Sequence, residues 1–137
     1  MTQDPVAPNP ESDPLICQFH VYLYGEQGQP IPASFEDASN RLQKLPLLHF
    51  EPDGSLVWAR RGGRELMYGM LYDAAGQLQY CEIRGKCCLE SWISLQIAIT
   101  GVRMTEGLHV MRIPDQELQD LQVFEQSLWL PGQKSTR

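Results

Sequence analysis

Hydrophobic and polar residues alternate along a series of short runs in this chain, and turn sequences separate the runs. Alternation with a period of two places successive side chains on opposite sides of a β-strand. Short alternating runs joined by turns are typical of an antiparallel meander. The clearest series lies between Leu47 and Thr100, with turns at Pro52-Asp53-Gly54, Arg61-Gly62-Gly63 and Ala74-Ala75-Gly76.

The first strand is predicted over Leu15 to Tyr24, where one side is entirely apolar. The apolar side carries Leu15, Cys17, Phe19, Val21 and Leu23, and the other side carries Ile16, Gln18, His20, Tyr22 and Tyr24. We therefore expect the first side to face the core.

A helix is predicted from Phe35 to Leu45, because Phe35, Ala38, Leu42 and Leu45 recur at helical spacing. Ser34 stands three residues before Asp37, a variant of the capping box. Pro46 should end the helix, since the residue before a proline is disfavoured in the α region.

Two hairpins and a closing strand and helix complete the predicted elements. The first hairpin joins 47–51 to 55–60, and the second joins 65–72 to 77–84. A strand follows at 108–113, and Pro114-Asp115 should open a closing helix. The apolar residues of that helix share one side: Leu118, Leu121, Phe124 and Leu128.

The segment from Trp92 to Thr100 fits a strand better than a helix. Its isoleucines and Leu95 alternate with smaller or polar residues, whereas a helical face through this segment would include Gln96 and Thr100. Branched isoleucine side chains also favour a pleated surface. We therefore predict a strand here.

These elements predict an α+β fold in the order β-α-β-β-β-β-β-β-α. The expected architecture is a mostly antiparallel sheet of about six to seven strands with two helices packed on one face. A chain of 137 residues is long enough for one domain. We expect that domain over 15–130, between a disordered acidic, proline-rich tail at 1–14 and a flexible tail at 131–137.

The net charge and the lengths of the apolar runs limit the partners and the location that we expect for this protein. The net charge of −6 makes nucleic acid an unlikely partner, because non-specific binding needs a basic surface. We expect no membrane partner, since no apolar run is long enough for a membrane helix. The first residues also lack the features of a signal peptide, so a cytoplasmic location is expected.

The sequence contains no recognisable catalytic or metal-binding motif. Cys17, Cys81, Cys87 and Cys88 are expected to be free thiols, because neither their spacing nor that of His20 is typical of a zinc site. The sequence leaves open whether Cys87 or Cys88 is reactive. We predict no cofactor and no metal, and we expect a noncatalytic protein rather than an enzyme.

Aromatic residues on the predicted strands indicate an interaction surface on the side of the sheet away from the helices. The interface candidates are His20, Tyr22, Tyr24, Ser94 and Gln96. Tyrosines are enriched at protein interfaces, where they supply contact area with few rotamers to order. The main functional prediction is therefore a protein-interaction or self-associating module, with another protein or a second copy of the chain as partner.

Two alternatives remain. A ligand-binding protein or enzyme with a pocket between the sheet and the first helix would use His49, Glu51, Tyr68 and Tyr72. An anion or nucleic-acid site would use Arg60, Arg61 and Arg64, because guanidinium groups bind phosphate bidentately and glycines admit it close to the backbone.

Overall fold

The structure, a computed structural model, describes residues 14–103 and 107–130. These residues form an antiparallel sheet in the order β2-β3-β4-β5-β1-β6-β7. The predicted α+β class with a mostly antiparallel sheet of about six to seven strands is confirmed, although the structure has three helices where two were predicted. The strands are β1 Cys17–Tyr24, β2 Leu48–Phe50, β3 Ser55–Arg60, β4 Glu65–Ala74, β5 Gln77–Cys87, β6 His109–Arg112 and β7 Leu118–Asp120, and the helices are α1 Phe35–Leu42, α2 Leu89–Thr100 and α3 Leu121–Trp129. The predicted tails, apart from Pro14, lie outside the described residues.

Both predicted hairpins form, and an aspartate stabilises each turn. In the β2–β3 turn, Asp53 Oδ1 accepts a hydrogen bond from the Ser55 backbone amide at 2.9 Å. In the β4–β5 turn, Asp73 Oδ2 accepts one from the Gly76 amide at 3.0 Å. Such side-chain bonds to nearby backbone are the reason that aspartate favours turns.

A β-bulge between Tyr72 and Asp73 shifts the register of the second hairpin. Next to the turn, Ala74 pairs with Gln77, whereas beyond the bulge Tyr72 pairs with Tyr80. Because side chains alternate between faces, the bulge decides which residues of β5 share a face with Tyr72.

β1 lies near the middle of the sheet, between β5 and β6. Its predicted apolar side is buried: Phe19, Val21 and Leu23 belong to the core. Phe19 contacts Trp92 of α2 and Phe124 and Trp129 of α3, with ring centroids 5.3, 6.1 and 5.8 Å away. The assignment of the two sides is therefore confirmed from Phe19 to Leu23, whereas Leu15, predicted on the apolar side, lies before β1 and is 55% exposed.

α1 begins as predicted but ends three residues early. Ser34 Oγ accepts a hydrogen bond from the Asp37 amide at 3.0 Å, and the helix ends at Leu42. Arg41, in its last turn, donates to the carbonyls of Ala98 and Ile99 at 2.9 and 3.2 Å. These bonds join α1 to the end of α2.

The predicted strand at 92–100 is wrong, because this segment belongs to α2. The helix is buried on several sides, so its polar residues gain partners inside the protein. Gln96 donates to Thr100 Oγ1 at 2.8 Å and to the Val102 carbonyl at 2.9 Å, and Arg103 donates to Gln96 Oε1 at 2.8 Å. A polar residue on the inner side of a helix is acceptable when it is satisfied in this way.

The closing helix begins later than predicted. Leu118 lies in the short strand β7, and α3 starts at Leu121. β7 and β2 are the two edges of the sheet, and each is three residues long.

Gly85 marks a close approach of β4 and β5. Its φ is +142°, and a Cβ placed there would lie 2.0 Å from the Leu66 carbonyl oxygen. The position therefore requires glycine.

Candidate interaction surface

One side of the central strands is opposite to the buried side of Phe19, and we call it the open face. Residues directly opposite each other on neighbouring strands share a face, so the register defines its members. The open face carries Gln18, His20, Tyr22 and Tyr24 on β1, Leu66, Tyr68, Met70 and Tyr72 on β4, and Tyr80, Glu82, Arg84 and Lys86 on β5. All of these residues are partly or fully exposed.

Four tyrosines form a cluster on this face. Tyr72 stacks on Tyr80 at 4.7 Å between ring centroids, and Tyr80 lies 5.7 Å from Tyr22 and 5.5 Å from Tyr24. Tyr22 and Tyr24 are also in contact, at 6.4 Å. Tyr80 therefore connects residues from three adjacent strands.

The raised pKa values of Tyr24 and Tyr72 keep these two phenols neutral at physiological pH. Burial raises the pKa of Tyr24, and the neighbouring Tyr80 and Tyr22 raise it further. Burial also raises the pKa of Tyr72, with added contributions from the Glu82 carboxylate and Tyr80. The cluster thus offers apolar rings with hydroxyl groups that can donate and accept hydrogen bonds.

Beside the tyrosines lies a small charged group. His20 Nε2 is 2.7 Å from Glu82 Oε2, and the Arg84 guanidinium lies 4.6 Å from the centre of the Tyr68 ring. Within the described part of the chain, Arg84 makes no ion pair. The open face therefore presents both signs of charge next to an aromatic surface.

Two depressions lie on either side of the Tyr68–Arg84 stack. One, of about 270 Å³, is lined by Val57, Met70 and Glu82, and the other, of about 430 Å³, by Gln18, His20 and Lys86. No serine or cysteine hydrogen-bonds to a histidine in residues 14–103 and 107–130.

The structure brings three of the five predicted interface residues together. His20, Tyr22 and Tyr24 lie side by side on the open face. Ser94 and Gln96 do not join them, because they lie on α2, where Gln96 is buried. Their predicted place on the sheet depended on the wrong strand assignment.

The predicted pocket residues do not line the cleft beside α1. His49, on the edge strand β2, lies in the same cross-strand row as Val57 and Tyr68, and Tyr72 lies further along β4 on the same face. Glu51 is exposed just beyond β2. A cleft does exist between α1 and β2, but it is lined by Phe35, Glu36, Ser39, Gln43, Phe50 and Pro52.

The arginine-rich turn after β3 is partly occupied by internal contacts. Arg60 donates to Ser91 Oγ at 2.7 Å, and its guanidinium lies 5.0 Å from the Trp58 ring. Arg61 bonds to the buried carboxylate of Glu65. Arg64 is exposed.

Glu65 is a charged group in the interior. Burial alone would raise its pKa, but hydrogen bonds from Ser91, from the Cys88 amide and from Arg61 outweigh burial, so the pKa of Glu65 is lowered. The carboxylate connects β4, the arginine-rich turn and the start of α2.

The four cysteines are free thiols in the structure. Burial raises the pKa of Cys81 and Cys87, so both thiols are protonated at neutral pH and poor nucleophiles. Cys88 Sγ lies 3.5 Å from Ser91 Oγ. The described residues contain no group of three or more His, Cys, Asp or Glu placed to hold a metal ion.

Sequence reasoning did not place the β5 residues of the open face there: Tyr80, Glu82, Arg84 and Lys86. These residues occupy alternate positions of β5, and this pattern was the available signal. It could not be connected to Tyr22 and Tyr24 without knowing that β5 pairs with β1.

No family model, no curated protein and no solved structure matches this chain. Within the described residues, no helix has both the length and the apolar character needed to cross a membrane.

Proposed function

We propose that this protein is a noncatalytic module that self-associates through the open face. The observation that carries the proposal is the cluster of four tyrosines, Tyr22, Tyr24, Tyr72 and Tyr80, which lies partly exposed on this face. Tyrosines in mutual contact lose little side-chain entropy when a partner covers them, and they are enriched among residues that dominate binding energy.

The size of the open face is compatible with a pair of chains. Three strands spaced about 4.8 Å apart and four rows of side chains about 6.6 Å apart give a flat footprint of about 400 Å². A stable interface buries about 800 Å² of accessible surface on each partner. Projecting side chains have more accessible surface than their flat footprint, so the open face can supply a large part of such an interface.

A second copy of the chain fits the charges of this surface. Glu82 provides a negative charge, and Arg84 and Lys86 provide exposed positive charges on the same strand. A surface that contains both signs can match itself in a two-fold pair, where the same patch is used twice.

The proposal is tested by the mass of the purified protein in light scattering over a concentration series. We expect twice the chain mass for the wild type. The Tyr22→Asp, Tyr24→Asp variant should be monomeric at the same concentrations, because burying two carboxylates against aromatic rings is unfavourable.

Val123→Asp is the matched control. Val123 is exposed on α3, 43% by side-chain and backbone area, and lies outside the open face. This variant should pair like the wild type. A wild type that is monomeric at every concentration, or a tyrosine variant that pairs normally, would refute the proposal.

A further inference from the structure

The open face is built of four cross-strand rows, each with one residue from β4, β5 and β1. From row to row along β5, the residue that β5 contributes is first aromatic, then acidic, then basic. The rows are Tyr72–Tyr80–Tyr24, Met70–Glu82–Tyr22, Tyr68–Arg84–His20 and Leu66–Lys86–Gln18.

Two chains that pack by this face with two-fold symmetry have their axis between the two sheets. The axis can run along β5 or across it. An axis along β5 places each row opposite the same row of the second copy. Arg84 then faces Arg84 and Glu82 faces Glu82, and like charges in a desolvated interface are strongly unfavourable.

An axis across β5 at Ile83 gives a different match. The row of Arg84 then lies opposite the row of Glu82 of the second copy, and this contact occurs twice. Moving the axis by one residue again places Arg84 opposite Arg84, or Glu82 opposite Glu82. An axis at Arg84 would pair Glu82 with Lys86, but it would also face Arg84 with Arg84. Among the axes across β5 at residues 82 to 84, only the one at Ile83 pairs opposite charges without also facing like charges.

The outer rows also match in this arrangement. Lys86 lies opposite Tyr80 of the second copy, as a cation over an aromatic ring. Among residues 14–103 and 107–130, neither Lys86 nor Arg84 has an ion-pair partner, so both are available. Aligned sheets pack about 10 Å apart, a gap that an arginine and a glutamate can bridge together.

We propose that two copies pair through the open face about a two-fold axis that crosses β5 at Ile83, with Arg84 of each copy bound to Glu82 of the other. This inference rests on the proposed self-association and specifies its partner and register. The stacking of the Arg84 guanidinium on Tyr68 at 4.6 Å holds the charge on the face before the partner arrives, which reduces the entropy lost on binding.

The test exchanges the two charges within one chain. Glu82→Arg combined with Arg84→Glu leaves the net charge unchanged. In the proposed register the exchanged chain still pairs with itself, because each new arginine meets a new glutamate. It does not pair with the wild type, because both contacts would then join like charges.

The measurement is native mass spectrometry of an equimolar mixture of isotope-labelled wild type and exchanged chain. We expect both unmixed pairs, with mixed pairs at least tenfold below the statistical fraction. Each single variant, Glu82→Arg or Arg84→Glu, should pair at least tenfold more weakly than the wild type. Far-ultraviolet circular dichroism checks that the variants fold.

A second exchange provides the control. Glu36→Arg with Arg64→Glu also preserves net charge, at two exposed positions outside the open face, and should mix statistically with the wild type.

The outcomes separate the register from the proposed function. Statistical mixing of the Glu82/Arg84 exchange overturns the register, and preferential mixing indicates the axis along β5 instead. In both cases self-association stands. A monomeric wild type overturns both proposals.

Discussion

The buried carboxylate of Glu65 gives the sharpest test of the internal structure. Glu65 has no exposed area, and its Oε1 accepts a hydrogen bond from the Cys88 amide at 3.3 Å, where α2 begins. Ser91 and Arg61 bond to the same carboxylate. We expect Glu65→Ala to loosen the junction between β4 and the start of α2.

The magnitude follows from the bonds that are lost. A buried amide left without an acceptor costs about 1–3 kcal/mol, and a hydrogen bond to a charged group contributes about 1.5–3 kcal/mol. Glu65→Ala should therefore lower the free energy of unfolding by about 3–5 kcal/mol, within the range for breaking a buried ion pair. Glu65→Gln retains one acceptor oxygen and should lose less.

The assay is urea unfolding followed by tryptophan emission. Trp58, Trp92 and Trp129 are all buried, so unfolding should shift their emission to longer wavelength. Glu90→Gln is the matched control: Glu90 lies 3.5 Å from the same Arg61, but its side chain is 77% exposed. An exposed pair of this kind contributes about 0–1 kcal/mol.

The pH dependence has a defined sign. Because the pKa of Glu65 is lowered by folding, its contribution is present above the unfolded pKa of about 4.3 and is lost as the pH falls through the folded value. The difference between wild type and Glu65→Gln should therefore shrink in acid. Two results would refute this reasoning. One is a Glu65→Ala variant whose free energy of unfolding falls by less than about 1 kcal/mol. The other is a difference in the free energy of unfolding between wild type and Glu65→Gln that stays constant with pH.

Three further predictions concern other positions. Gly85→Ala should lower the free energy of unfolding by at least about 1–3 kcal/mol, since its Cβ would lie 2.0 Å from the Leu66 carbonyl oxygen; a thermal midpoint near wild type would contradict this. Arg41→Ala should lower the free energy of unfolding in urea by about 1.5–3 kcal/mol, because it removes the bonds to the end of α2; an unchanged midpoint would show that these bonds contribute nothing. Folding raises the pKa of Cys81, so wild-type stability should fall as the pH rises above the unfolded thiol pKa, and Cys81→Ala should reduce that slope by about 1.4 kcal/mol per pH unit; equal slopes in urea unfolding at pH 8 to 10 would exclude the effect.

The hairpins and the two sides of β1 could be predicted from sequence because their signals are local. Turn residues and alternation depend only on neighbours in the chain. α2 could not be assigned by periodicity, because a helix buried on several sides has no clear polar face. Its best signal was Gly101, which ends the helix with a φ of +93° and is a common residue at that position.

The open face was only half predictable. Tyr22 and Tyr24 follow from alternation in β1, but their neighbours on β5 depend on strand order. The register of the second hairpin could not be predicted either, because a regular hairpin without a bulge would pair Tyr72 with Gln79. The bulge replaces Gln79 with Tyr80, and this completes the tyrosine cluster.

The two edge strands limit how large an assembly this fold can build. β2 and β7 each offer three residues of backbone, too few to template the addition of strands from further chains. A two-fold pair also uses the same patch on both members and leaves none for a third. Fibre growth through the sheet edges is therefore disfavoured. At the open face, one contact uses the patch of both chains, so the proposed assembly has a fixed stoichiometry of two.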